Sequence, residues 1–306
     1  MTRSGEEAAT AHKGVGERAQ QALERLLAEP VPPGLYLVAT PIGNLGDISL
    51  RALATLAGVD LIYCEDTRHS RGLLTHFAIQ RPLRAYHEHN AERERPRIIA
   101  ELMAGRAIAL ISDAGTPLIS DPGYKLVRAA LAAGIRVTPL PGASALLAAL
   151  TASGLATDTV LFAGFLPGKA AARRSRLAEL KPVTATLVLF EAPSRLAEAL
   201  TDIAAVLGDR PAAVARELTK LNEEVRIGPL TELATWARSA PRGEMAIVIG
   251  RAPDEEVTDA AITAHLLALP ADLSVRDAAK ATAEALAVPK ARAYALALAL
   301  KKSHEG

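Results

Sequence analysis

From Gly34 onward, short apolar runs rich in Val, Ile and Leu recur along the chain, each followed by a Gly/Pro/Asp turn and then by a stretch of helical periodicity. These runs predict strands at 35–39, 59–64, 107–112 and 135–140, with helices near 47–57, 90–104 and 121–133 between them. After a helix over 142–152 the alternation resumes, with strands near 159–163, 184–190, 212–216 and 244–249 and helices near 170–180 and 194–207. Runs that are apolar on both faces and alternate with helices predict parallel sheet covered on both sides. The expected fold is therefore α/β: two α/β domains with mainly parallel sheets, plus a small C-terminal helical appendix. The turn cluster Ser153–Asp158 separates an N-terminal domain over 34–152 from a second over 153–252. Residues 253–306 read as alanine-rich helices at 258–268, 274–286 and 289–301. Residues 1–33 alternate in charge and end in Pro30, Pro32 and Pro33, which predicts a frayed or disordered arm.

Composition narrows the class. With 306 residues, half of them hydrophobic and 23% charged, the chain can bury a sizeable core without disulfides. Lys+Arg 35 against Asp+Glu 34 leaves a net charge of +1, so any nucleic-acid partner has to be met by a local basic patch. The single cysteine, Cys64, excludes a disulfide framework and a thiolate zinc site and fits a reducing compartment. No apolar run reaches bilayer length and the first thirty residues hold no signal-peptide core, so a cytoplasmic protein with no membrane partner is expected.

In open α/β sheets, ligands bind beyond the carboxyl ends of strands. Four segments fall there: Thr40-Pro41-Ile42-Gly43-Asn44-Leu45-Gly46-Asp47, Cys64-Glu65-Asp66-Thr67-Arg68, Ser112 to Gly123, and Pro139-Leu140-Pro141-Gly142-Ala143-Ser144-Ala145. Gly, Pro, Asp and Ser are what any strand-to-helix turn needs. The third segment is nevertheless twelve residues long, whereas such loops usually run about 2–6 residues, and long ordered loops usually bind something. Gly43 and Gly46 with Glu65 downstream mimic a dinucleotide fingerprint, but the G-x-G-x-x-G spacing is absent. There is no G-x-x-x-x-G-K-[ST] phosphate loop and no G-x-S-x-G nucleophile elbow. His87 and His89 flank Glu88 without a third ligand in view, so no metal is expected.

These loops resemble the tetrapyrrole-methylase-fold family of S-adenosylmethionine-dependent methyltransferases, and within it the branch that methylates ribosomal RNA. The resemblance rests on Leu37 to Asp47, Glu65-Asp66-Thr67-Arg68, Ser112 to Gly123, Leu140 to Ala145, Gly164-Phe165-Leu166-Pro167, Phe190-Glu191-Ala192-Pro193-Ser194-Arg195 and Arg216-Glu217-Leu218-Thr219-Lys220, in order from Gly34 to about Gly250. In the third loop, Ser112 and Ala114 stand where the family's Gly-Asp-Pro segment has glycine and proline, a departure typical of the ribosomal branch. The resemblance implies S-adenosyl-L-methionine as cofactor, a cleft between two domains, and a homodimer. It further implies 2′-O-methylation of a cytidine ribose in the decoding region of 16S rRNA, with free rRNA or the small ribosomal subunit as partner. Carried onto this chain, Asp113 and Thr116 line the methionine and ribose side, Ser144 and Ala145 hold the carboxylate end, and Phe190, Ala215 and Glu244 close on adenine.

A ribose hydroxyl is a poor nucleophile at neutral pH, so a group within reach must accept its proton. Glu65 or Asp66 is the expected acceptor, with Arg68 contacting phosphate. Asn44 and His87 join them as candidate substrate contacts, together with Lys169, Arg173 and Arg174 of a basic cluster whose helical spacing spreads it over a broad face. Three rival readings remain: a methylase of a small tetrapyrrole-like metabolite on the same fold, a nicotinamide-dependent oxidoreductase, and a binding protein without chemistry.

Overall fold

A computed structural model describes residues 5–239, 242–252, 258–270, 273–286 and 288–304. Two compact units are present, Met1–Arg251 and Ala252–Gly306. The predicted domain edge at 253 lies outside the described residues.

Within the first unit, β1 (Gly34–Val38), β2 (Leu61–Cys64), β3 (Leu83–Ala85), β4 (Ala107–Ile111) and β5 (Val137–Leu140) form one sheet in the order β3-β2-β4-β1-β5. Every pairing in it is parallel. Helices α2 (Leu50–Gly58), α3 (Thr67–His76), α4 (Ala91–Met103) and α5 (Tyr124–Ala132) connect its strands. The apolar residues divide between the faces. Val38, Ile62, Ala109 and Ile111 pack with Leu56 on one side; Leu35, Leu61, Ile108 and Leu110 pack with Ile98 and Leu126 on the other. Cys64 is fully buried at the end of β2, and burial pushes its thiol pKa up.

The second sheet contains β6 (Val160–Phe165), β7 (Thr186–Glu191), β8 (Pro211–Arg216), β9 (Glu224–Pro229) and β10 (Met245–Ile249), ordered β6-β7-β10-β8-β9. Here the expectation of parallel strands is corrected: only β6 and β7 are parallel, while β10 runs antiparallel to β7 and β8, and β9 antiparallel to β8. The apolar runs in β7, β8 and β10 report burial on both faces, and that burial does not depend on strand direction. One face packs on α7 (Ala170–Leu180), α8 (Leu196–Leu207) and α9 (Leu230–Ala237). The other face, Val188, Ala213, Ala215, Ala246 and Val248, packs on Ala149 and Leu150 of α6 (Ala145–Ala152). α6 follows directly from the first sheet, so it ties both sheets into one compact unit.

The expected frayed arm is also corrected. Residues Gly5–Ala28 form a helix, α1, which lies against α2. Good helix formers such as Ala, Gln, Glu, Leu and Arg outweigh the charge alternation in its second half. The prolines that follow end the helix and lead into β1, where the Tyr36 hydroxyl donates to Pro32 O at 2.7 Å.

The second unit is a small helical body of α10 (Asp259–Ala268), α11 (Val275–Ala285) and α12 (Lys290–His304) around Ile262, Leu266, Ala279, Ala293 and Ala297. Thr258 and Ser274 cap the first two helices by accepting from Ala261 N and Asp277 N. No helix among the described residues is long and apolar enough to cross a membrane.

One member of the basic cluster on α7 is part of the core. Arg173 is 2% exposed; its Nε and Nη2 donate to Asp202 Oδ2 of α8 at 2.7 and 2.6 Å, and its Nη1 donates to Gly168 O at 3.2 Å. Arg174 reaches the other oxygen, Asp202 Oδ1, at 2.6 Å. Arg173 is thereby removed from the candidate RNA contacts, because its guanidinium is buried against Asp202 and out of reach of a phosphate. Removing one partner of a buried pair leaves an uncompensated charge, so Asp202→Ala should cost about 3–5 kcal/mol, read as a lowered urea midpoint at unchanged slope.

Candidate functional site

The twelve-residue loop after β4 is pinned at its start. Thr40 N donates to Gly115 O at 2.9 Å and Gly115 N to Thr40 O at 3.0 Å, an isolated bridge between the loops that follow β1 and β4. The Thr40 hydroxyl donates to Ser112 O at 3.1 Å, the Ser112 hydroxyl to Gly115 O at 2.8 Å, and the Thr116 hydroxyl to Ala143 O at 3.3 Å. Further on, Leu118 and Ser120 adopt φ of 71° and 66°, values that side-chain-bearing residues rarely accept. Such strain persists only where surrounding contacts enforce it, and it concentrates at functional sites.

This loop forms one wall of a cavity of about 460 Å³, within the usual range for small-molecule sites. Ser144 and Ala145 at the start of α6 extend that wall. Ser144 is the N-cap, its Oγ accepting from Leu147 N at 3.4 Å, so the first turn of α6 presents backbone N–H groups and the positive end of the helix dipole there. The opposite wall comes from the second sheet: Phe165 at the end of β6, Phe190 to Pro193 at the end of β7, Ala215 near the end of β8 and Leu218 after it, and Gly243 to Ala246 entering β10. Antiparallel β10 brings its beginning to the edge where β7 and β8 finish. Phe190 stacks edge-on against Phe162 and Phe165, with ring centroids 5.0 and 5.7 Å apart.

All seven residues predicted to hold a cofactor, Asp113, Thr116, Ser144, Ala145, Phe190, Ala215 and Glu244, line this one cavity. The predicted catalytic and substrate residues lie elsewhere. Asp66 caps α3 by accepting from Arg68 N at 2.8 Å and pairs with the Arg68 guanidinium at 2.9 Å. These interactions with Arg68 hold its pKa at about 2, which makes it a poor proton acceptor. Arg68, 91% exposed, is engaged by the same carboxylate. Glu65 differs: burial first, then the Asp113 charge, raise its pKa, with His87 opposing. His87 follows β3, its backbone N donating to Asn90 Oδ1 at 2.9 Å and its Nδ1 buried without a partner. Asn44 caps a short turn by accepting from Gly46 N. Lys169 is exposed just before α7.

Sequence reasoning did not single out the cavity residues Ile42, Ser120, Asp121, Phe165, Leu218 or Gly243. A signal was present for all but Gly243, because Ile42, Ser120, Asp121, Phe165 and Leu218 lie in the quoted loop runs. Phe165 belongs to the Gly164–Pro167 run, and Asp121 closes the long loop in a second Ser-Asp pair that repeats Ser112-Asp113.

A profile of the family described as Tetrapyrrole (Corrin/Porphyrin) Methylases matches residues 34–234. The chain belongs to the tetrapyrrole methylase family. Among its relatives is the Ribosomal RNA small subunit methyltransferase I of Mesorhizobium japonicum, 53% identical over 277 residues that cover 90% of this chain and 94% of that protein. In fold it is similar to the uroporphyrin-III-C-methyltransferase of Thermus thermophilus, with TM-score 0.52 and 24% identity over 71% of this chain and 94% of the other. A Thermus thermophilus uroporphyrin-III C-methyl transferase complexed with S-adenyl homocysteine gives TM-score 0.50 and 21% identity over 70% and 96%. In this tetrapyrrole methylase the two walls also meet directly. A Cβ built on Gly43 would stand 2.3 Å from Lys220 Cγ, 2.9 Å from Thr219 Oγ1 and 3.1 Å from Leu218 O. The β8–β9 segment thus rests on the first loop, and Gly43 is the residue small enough to permit it. Gly43→Val should cost about 1–3 kcal/mol through overpacking, visible as a lower melting temperature together with faster proteolytic cutting at Leu218–Leu221.

Proposed function

We propose that this methylase transfers the methyl group of S-adenosylmethionine to the 2′-hydroxyl of a cytidine in the decoding region of 16S rRNA. The observation that carries the reading is the 53% identity, over nearly the whole chain, to a protein named for methylating small-subunit ribosomal RNA. The cavity supports the cofactor assignment. Its aromatic and apolar wall around Phe190, Ala215 and Met245 suits a flat heterocycle, and its polar wall around Asp113, Thr116 and the α6 N-terminus suits an amino-acid end that carries a carboxylate. The complex of a family neighbour with S-adenyl homocysteine supports the same assignment. When bound, S-adenosylmethionine would supply an electrophilic methyl group on a sulfonium, which loses its positive charge as the hydroxyl attacks.

The chain's own contribution is to hold, align and exclude water, since positioning supplies much of the rate in a displacement of this kind. Asp113, Thr116, Ser144 and Ala145 would hold the cofactor from the first sheet, and Phe190, Ala215 and Glu244 from the second. Exposed Lys169 and Arg174, with Arg68 on the first half, would meet rRNA phosphates, while Asn44 and His87 stand at loops on the carboxyl edge of the first sheet. The same kinship supports rRNA or the small subunit as partner, and the homodimer and the cytoplasmic setting belong to the proposal as what the family resemblance implies.

A radiolabelled transfer assay on small subunits from a strain lacking the gene tests the reading directly, with label expected on a cytidine ribose. Asp113→Ala should weaken cofactor binding in calorimetry while the fold survives; unchanged affinity would remove this loop from the cofactor site. Replacing Lys169 and Arg174 with Ala should lower the slope of log affinity against log salt by about one for each phosphate no longer neutralised, leaving cofactor affinity intact. An unchanged slope would make these charges a solvated surface.

A further inference from the structure

The alternation of side chains along β6 breaks at a bulge. Val160 and Phe162 pack on the α6 side of the sheet, while Leu161 and Ala163 pack on the side of α7, α8 and α9. Strict alternation would turn Phe165 under those helices with Leu161 and Ala163. Instead the register slips between Phe162 and Gly164, where Gly164 takes a φ of 66°, and Phe165 comes opposite Phe190. Phe165 therefore shares the face of Phe162 and Phe190, at the last position of the strand. Its ring centroid lies 5.7 Å from that of Phe190, and the residue is 55% exposed. A phenyl ring left in water forfeits the burial that the helix face offered, and the bulge imposes that loss.

The facing loop supplies a counterpart. A Cβ built on Gly164 would lie 3.5 Å from Ser120 Oγ, so the strained stretch from Leu118 to Ser120 comes up to the bulge. Between the two strained residues stands Ile119, 40% exposed and, like Phe165, on the cavity lining. The mouth of the cavity is thus bordered by an aromatic ring from one wall and an aliphatic side chain from the other. Beyond Phe165 the chain turns basic. Lys169 is exposed four residues on, and Arg195, paired with Glu191, holds its Nη1 3.2 Å from where a Cβ on Gly168 would be.

We propose that this mouth is a base-stacking subsite: the target cytidine, turned out of the folded RNA, lays its base on Phe165 with Ile119 opposite, so that its ribose enters the cavity. The assignment rests on the rRNA-methylation reading above and adds the residues that seat the nucleotide. Chemistry inside a cavity requires the nucleotide to leave its stack, and enzymes that extrude a nucleotide hold the base between aromatic and apolar side chains. Such stacking fixes position without reading identity, because every base has a π-face. Lys169 and Arg195 add positive charge beside the platform, which suits the phosphates flanking an extruded nucleotide. A base seated on Phe165 also recovers the burial that the bulge gives up.

The test uses the full chain and small subunits that lack the methyl group. In single-turnover transfer at limiting subunit concentration, Phe165→Ala should lower the rate about 5- to 150-fold, the span of base–aromatic stacking. S-adenosylhomocysteine affinity in calorimetry should stay at the wild-type value. Phe165→Tyr and Phe165→Trp should keep transfer within about threefold, whereas Phe165→Leu, which packs against Phe190 but has no π-face, should fall with the alanine variant. If the alanine variant folds poorly, the contrast between Trp and Leu carries the test. Full transfer by Phe165→Leu would make the residue a packing element, and loss of S-adenosylhomocysteine binding in Phe165→Ala would place the ring on the cofactor; either result overturns the subsite. A wild-type enzyme that labels no ribose would instead overturn the methylation reading on which the subsite rests.

Discussion

Two backbone hydrogen bonds between Thr40 and Gly115 fix the loop on which the site depends. β1 and β4 are neighbours in a parallel sheet, so the loops leaving their carboxyl ends emerge side by side, and the bridge joins them before either has diverged. Once Gly115 is held, Ser112 and Thr116 reach their carbonyl partners and the remaining residues must turn back within a short span to begin α5. The strained backbone at Leu118 and Ser120 is the cost of that return. It places Asp113 and Asp121 on one wall, although seven residues separate them along the chain.

The second requirement is that the opposite wall stay close. α6 serves both halves: its N-terminus contributes to the cavity and its apolar side, Ala149 and Leu150, packs under the second sheet. The segment after β8 adds a further contact over Gly43, where Lys220 also draws Glu217 and Glu244 together. Helix packing and loop packing therefore act on the same gap from two sides.

Much of this was legible in the residues because the strands are buried on both faces and punctuated by glycine and proline. β1, β4, β7 and β10 follow directly from their apolar runs, and most of the cavity lining lies in the segments at or near their ends. β3 and β9 were missed. β3 is three residues long, and β9, Glu-Val-Arg-Ile-Gly-Pro, is a half-exposed edge strand without the apolar density of its neighbours. α3 was missed because its sequence, Thr-Arg-His-Ser-Arg-Gly-Leu-Leu-Thr-His, is polar over its first turns; what starts it is the Asp66 cap. Charge was the least legible quantity. Arg173 and Arg174 are adjacent in sequence and both bond Asp202, yet Arg173 is sealed on the face of α7 that also buries Leu177 and Leu180, while Arg174 stays largely exposed. The raised pKa of Asp121 was hidden for a related reason: it comes first from burial, then from the charges of Glu65 and Asp113, all of them set by the sheet and the loop.

The isolation of Cys64 has a practical side. It is the chain's one thiol, it is fully buried, and its raised pKa keeps it protonated at neutral pH. The protein therefore arrives nearly inert to alkylating dyes. Leu221, wholly exposed on the segment that rests over Gly43, offers a place where a single introduced thiol would carry a fluorophore with almost no background. The gap between the two walls can then be followed optically in the unmodified remainder of the molecule.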